Sequence, residues 1–132
     1  MRKELIIKSD SDNLRKVEKF VDDISSDLKL SDEIYGNLLI ATLEAANNAI
    51  VHGNRGEAEK NVVLQLTKSD KEIVLRVKDE GPGFNYKNIP DPTAPENIEK
   101  INGRGVFLMQ KLSDKIEFFE NGSLVQLTFL LS

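Results

Sequence analysis

Ile40-Ala-Thr-Leu-Glu-Ala-Ala-Asn-Asn-Ala-Ile-Val-His-Gly-Asn54 decides how the rest of the chain is read, because it sets a carboxylate and several amides into what is otherwise a plain core helix. Glu44 and Asn48 are four residues apart. On a helix that spacing stacks them on one face, and His52 continues the row. A buried carboxylate is costly unless it has partners, so Glu44, set among Ala45, Ala46 and Ala49, either faces water as part of a polar stripe or belongs to a site. Two later stretches bear on that choice: Asp79-Glu-Gly-Pro-Gly-Phe84 and Gly103-Arg-Gly-Val-Phe-Leu-Met109.

Working outward, Ser31 followed by Asp32 and Glu33 predicts the N-terminus of this helix, with acid in the first turn where the helix dipole favours it. Gly53 or Asn54 ends it, and Gly56 follows in a loop. Before it, Glu4-Leu-Ile-Ile-Lys8 reads as a strand. The capping residues of Ser9-Asp-Ser-Asp12 come next, then an amphipathic helix carrying Leu14, Val17, Phe20, Val21, Ile24 and Leu28. After it, Asn61–Thr67 and Glu72–Lys78 predict a hairpin through Lys68–Lys71, with Ile73, Leu75 and Val77 on its covered face. Residues 85–102 carry Pro90, Pro92 and Pro95 and lose all periodicity, which predicts a lid. Gly105–Leu112 predicts a short helix entered through Gly103-Arg104-Gly105. Asp114–Glu120 and Ser123–Leu131 form a closing hairpin around Asn121-Gly122.

This order predicts an α+β fold, a two-layer α/β sandwich with helices on one face of a mixed, mainly antiparallel sheet, in a single domain over 1–132. There is no β-α-β alternation, no P-loop, and Leu108 stands where a dinucleotide fingerprint wants its third Gly. A hydrophobic content of 39%, 30% charged residues and a net charge of −4 fit a globular domain and give no electrostatic reason to expect nucleic acid. No apolar run approaches the ~20 residues of a membrane helix and the N-terminus lacks signal-peptide character, so no membrane association and a cytoplasmic location are expected. With no cysteine and one histidine, disulfides, thiolate metal sites and a cysteine nucleophile are excluded and zinc is disfavoured. Chemistry must rest on carboxylates, amides, backbone and a bound ligand.

Together, Glu44-Ala-Ala-Asn-Asn48-Ala-Ile-Val-His-Gly53, Asp79-Glu-Gly-Pro-Gly83-Phe84 and Gly103-Arg104-Gly105 resemble the N, G1 and G2 boxes of the gyrase, heat-shock chaperone, histidine kinase and MutL (GHKL) ATPase superfamily. The chain is most similar to its bacterial anti-sigma-factor serine/threonine kinases over nearly the whole length, including the lid stretch Pro90-Asp-Pro-Thr-Ala-Pro-Glu-Asn97. The resemblance implies a Bergerat-type ATP-binding fold with ATP and Mg2+ as ligands. It assigns Asp79 to the adenine amine, which a carboxylate can accept, whereas guanine presents an acceptor there. Gly81 and Gly83 let the backbone turn beside the base. Gly103, Arg104 and Gly105 open a helix whose free N–H groups and basic side chain receive phosphate. Asn48 is assigned to magnesium, and Glu44 is the catalytic carboxylate that orients or deprotonates an attacking hydroxyl. Thr128 matches a position that supports adenine through its hydroxyl, or is a β-former in a sheet. Asn47 and His52 are structural or support the site from behind.

The activity so implied is phosphorylation of a serine or threonine on an antagonist protein by a regulator that also binds a sigma factor, in a homodimer. Self-phosphorylation on histidine is disfavoured, because His52, the one histidine, lies inside the nucleotide motif. The alternative is a nucleotide-gated protein-binding module that transfers no phosphate.

Overall fold

The computed structural model describes residues 1–81 and 103–131; the predicted lid at 85–102 and Gly83 lie outside them. In chain order the described elements are β1 (Arg2–Lys8), α1 (Leu14–Leu28), α2 (Asp32–Asn48), β2 (Asn61–Lys68), β3 (Glu72–Lys78), α3 (Gly103–Leu112), β4 (Lys115–Phe119) and β5 (Leu124–Leu130). The strands form one sheet in the order β1-β2-β3-β5-β4. Every described pairing is antiparallel.

Alternation along the strands sends Leu64, Leu66, Ile73, Leu75, Val77, Leu127 and Phe129 to one face, where all are buried. The helices cover that face. Val17, Val21 and Ile24 of α1, and Leu38, Ala41, Ala45 and Ala46 of α2, belong to the same core. Small residues at 41, 45 and 46 let α2 lie close against its neighbours, while the larger chains of the sheet fill the layer. Truncating a fully buried residue such as Leu75 to Ala should cost ~2–5 kcal/mol, transfer and cavity together.

Local chemistry sets the boundaries. The Ser31 hydroxyl accepts the Ile34 N–H at 3.3 Å and starts α2. Asp10 plays the same part before α1, accepting the Asp12 N–H at 2.9 Å above a short 3-10 turn. α2 does not end in a plain cap: Ala49–Gly53 form a single π turn. There the Asn54 N–H donates to the Ala49 carbonyl at 2.8 Å, five residues back. The closing hairpin is also looser than a two-residue Asn-Gly turn. Phe119 pairs with Leu124, and Glu120, Asn121 and Gly122 all take positive φ. Ser123 closes the loop by donating its N–H and its hydroxyl to the Glu120 carbonyl, at 3.2 and 2.9 Å. Among the described residues no helix is long and apolar enough to cross a membrane.

Candidate functional site

Asp79 is the residue after β3. It follows the inward row of Ile73, Leu75 and Val77, so a carboxylate stands at the end of an apolar row on the helix-covered side. Its N–H donates to the Ser123 carbonyl at 2.9 Å, extending the β3–β5 ladder by one step. Oδ1 accepts the Gly81 N–H at 2.8 Å. The residue is only 7% exposed. Burial pushes its carboxyl above the ordinary carboxylate range, and the Gly81 N–H and the Lys60 charge offset part of that rise. Among the described residues no donor meets Oδ2, so one oxygen of a buried, desolvated acceptor has no hydrogen bond there.

Two glycines wall this carboxylate. A Cβ on Gly53 would stand 2.2 Å from Asp79 Oδ2, and one on Gly81 would stand 1.9 Å from the Gly53 carbonyl oxygen. No side chain fits at either position without displacing backbone or acid. The π turn that ends α2 therefore brings the Gly53 peptide against the Asp79–Gly81 turn, joining two of the three predicted motifs.

Asn54 was legible in the sequence only as a helix terminator. In the fold it is fully buried and every polar hydrogen and acceptor of its amide is engaged. Nδ2 donates to Ser9 Oγ at 2.7 Å and to the Asn61 carbonyl at 2.9 Å, and Oδ1 accepts the Glu80 N–H at 2.7 Å. Ser9 Oγ in turn donates to the Lys60 carbonyl at 2.8 Å, and the Asn61 N–H donates to the Glu80 carboxylate. The ends of β1, β2 and β3 are tied at this one side chain.

Glu44 and Asn48 lie one turn apart within α2, both half-buried. Glu44 Oε2 is 3.6 Å from where a Cβ on Gly105 would be, so the carboxylate faces the first turn of α3. Gly103, Arg104 and Gly105 form that turn. Glu44 therefore lies beside a helix N-terminus, where free N–H groups favour an anion. Asn47 is half-buried as well. His52 lies in the π turn, off the strict four-residue row. Its partial burial lowers its imidazole pKa and favours the neutral form at neutral pH.

Thr128 is not brought to this site. Leu127 and Phe129 fill the core beneath the helices, so Thr128 between them faces the other side of the sheet, across from Val74 and Lys115. The β5 neighbour of Asp79 is instead Ser123, through the backbone bond already described.

An α+β sandwich holding a buried acid walled by glycines at a strand end, with a second carboxylate, on the covering helix, facing the first turn of another helix, defines a nucleotide-binding domain of the GHKL kind. Residues 7–129 match the family described as Histidine kinase-like ATPase domain, and the chain belongs to that family. It is also 35% identical over 96 residues to proteins named anti-sigma F factor from Bacillus thuringiensis (strain Al Hakam), Bacillus mycoides (strain KBAB4) and Bacillus anthracis (strain CDC 684 / NRRL 3495). The matched stretch is 67% of this chain and 64% of each of those proteins, a little under two thirds of their length. The family's description makes ATP the ligand class of the fold.

Proposed function

We propose that this chain is an ATP- and magnesium-dependent serine/threonine protein kinase of the anti-sigma-factor type. It would bind a sigma factor or similar regulator and phosphorylate a serine or threonine of an antagonist protein, working as a homodimer in the cytoplasm. The observation that carries this reading is the position of Glu44, a half-buried carboxylate facing the glycine-opened first turn of α3. A domain that only bound nucleotide would need the donors of that turn and no carboxylate beside them.

The residues fit the ligands. Asp79 offers the adenine amine a desolvated acceptor with one oxygen uncommitted, and glycine at 53 and 81 lets the backbone close on that carboxylate with no side chain between. Gly83, the next glycine of the same motif, lies outside the described residues. Gly103, Arg104 and Gly105 would hold the phosphates with N–H groups and a positive charge. Among the described residues no cluster of three or more His, Asp or Glu could hold a metal by itself. That suits an ion taking one ligand from the Asn48 side-chain oxygen and the rest from phosphates and water. Magnesium so held would neutralise phosphate charge.

Glu44 would accept the proton of the attacking hydroxyl as its oxygen bonds to the terminal phosphorus, while the bond to the leaving diphosphate breaks and ADP departs. General-base assistance of this sort contributes ~10²–10⁴-fold in rate.

The test is transfer of labelled terminal phosphate from ATP, with magnesium, to sigma-factor antagonist proteins of the same organism. Labelled phosphoserine or phosphothreonine on one of them is expected. A partner that binds in an ATP-dependent way yet never receives phosphate would replace the kinase with a nucleotide-gated binding module.

A further inference from the structure

We infer that Asn54 is a positioning residue for the base-reading acid: its amide fixes the peptide after Asp79 and so sets the direction of that carboxylate. This rests on the nucleotide reading above and adds to it a residue outside the three motifs.

The geometry is specific. Asp79 is held on three sides: by the N–H bond to Ser123 behind it, by Gly81 N–H on Oδ1, and by the Glu80 peptide, whose N–H ends on Asn54 Oδ1 at 2.7 Å. The first two come from the strand ladder and from the turn itself. The third alone reaches across from the end of α2, where Asn54 follows the glycine that walls Oδ2. Asn54 cannot rotate away, because its two amide hydrogens are committed to Ser9 Oγ and the Asn61 carbonyl. Nor can it flip, because Oδ1 would then face those acceptors and leave the Glu80 N–H facing an amino group. A fully buried amide with three engaged groups is a rigid bracket. The peptide it grips is the one bonded to Asp79.

If Asn54 only stabilised the fold, its loss would weaken every ligand alike. If it aims Asp79, the loss falls on the contact with the exocyclic amine of adenine. The readout is therefore a preference: the ratio of affinities for ATP and for purine riboside triphosphate, which lacks that amine and keeps the same sugar and phosphates, measured by calorimetry with magnesium well below the melting temperature. Wild-type protein should prefer ATP. Asn54→Ala should lower ATP affinity by about tenfold while leaving that of the purine analogue within about twofold, so that the preference collapses. Should Asn54→Ala fail to fold, Asn54→Ser carries the same measurement, since its hydroxyl is too short to meet the Glu80 N–H in place. Ser9→Ala removes a neighbouring bond of the same network without touching Glu80, and should keep the preference while lowering the melting temperature.

An Asn54 variant that folds and retains the wild-type preference overturns the inference, as does an equal collapse in Ser9→Ala, which would mean that any loosening of this corner has the effect. A wild type that binds both nucleotides with no preference would remove the assignment of Asp79 to the amine and this inference with it, whereas a wild type that binds neither would remove the nucleotide reading.

Discussion

The two ends of the site are built in opposite ways. Around Asp79 the protein is closed: a carboxylate that is 7% exposed, two glycine walls, and a buried amide whose groups are all engaged. Around Glu44 and Asn48 it is open. Both side chains are half-buried, and among the described residues neither has a hydrogen bond or ion pair. A corner that is rigid without ligand suits recognition, because little ordering remains to be done on binding. A face whose polar groups lack protein partners suits chemistry, where those groups are to be engaged by phosphate, metal and an incoming hydroxyl.

The sharpest way to break this contrast is Glu44→Gln. The amide keeps the shape but cannot take a proton, so ATP affinity should stay near wild type while phosphate transfer falls ~10²–10⁴-fold. Single-turnover transfer and calorimetry on the same preparation read the two separately. Equal transfer rates in variant and wild type would remove the catalytic role.

At the closed end the largest effect should come from Gly81→Ala. Its Cβ would meet the Gly53 carbonyl at 1.9 Å, and that obstacle is backbone rather than the end of a flexible side chain. Overpacking of this kind costs ~1–3 kcal/mol and here should lie at the upper end, with ATP affinity falling as the turn is displaced. A thermal melt that leaves the midpoint unchanged would show that the corner gives way easily.

Asp79→Asn should separate stability from binding. Because burial raises the carboxyl's pKa in the fold, the ionised form costs stability above that pKa, and the Asp79 contribution becomes more favourable as pH falls through it toward the unfolded value. At neutral pH the amide should therefore leave the fold as stable as wild type or more so. ATP binding should weaken by ~1–3 kcal/mol, since the acceptor loses its charge and must flip to meet the amine. In the wild type, ATP affinity should fall as acid protonates Asp79, and that step should be missing in the variant. A variant that bound ATP as tightly as wild type would mean that Asp79 does not read the base.

The contrast also marks what the sequence could reveal. Ser31 with its acidic neighbours, and the alternation of Ile73, Leu75 and Val77, are short-range signals, and the structure follows them to within a residue or two. The three glycine-bearing stretches, two of them with a carboxylate, were visible for the same reason, since each keeps its chemistry within a short run of residues. Asn54 was not visible as a bracket: its partners Ser9 and Glu80 are 45 and 26 residues away, and an Asn after Gly53 looks like any helix end. The π turn was hidden as well. It brings Gly53 against Asp79, a contact that exists only once α2 and β3 are packed.

Thr128 is the instructive miss and gives the smallest expected effect. Its type suited a hydroxyl beside adenine, but strand side chains alternate, and one residue of register decides which face a position serves. With Leu127 and Phe129 in the core, Thr128 opposes Val74 and Lys115 on the face away from Asp79 and Glu44. Thr128→Val keeps the β-branched shape and removes the hydroxyl. Among the described residues that hydroxyl has no hydrogen-bond partner, and the bond Thr128 does make there beyond the ladder, from the Asp114 N–H at 2.8 Å, ends on its backbone carbonyl. Valine should be accepted in the sheet, with stability within ~0.5 kcal/mol of wild type and ATP affinity unchanged within about twofold. The measurement is ATP titration of wild type and variant side by side. A tenfold loss of affinity without a drop in melting temperature would mean that this face of β5 reaches the nucleotide after all, and would undo the assignment of recognition to the Asp79 corner alone.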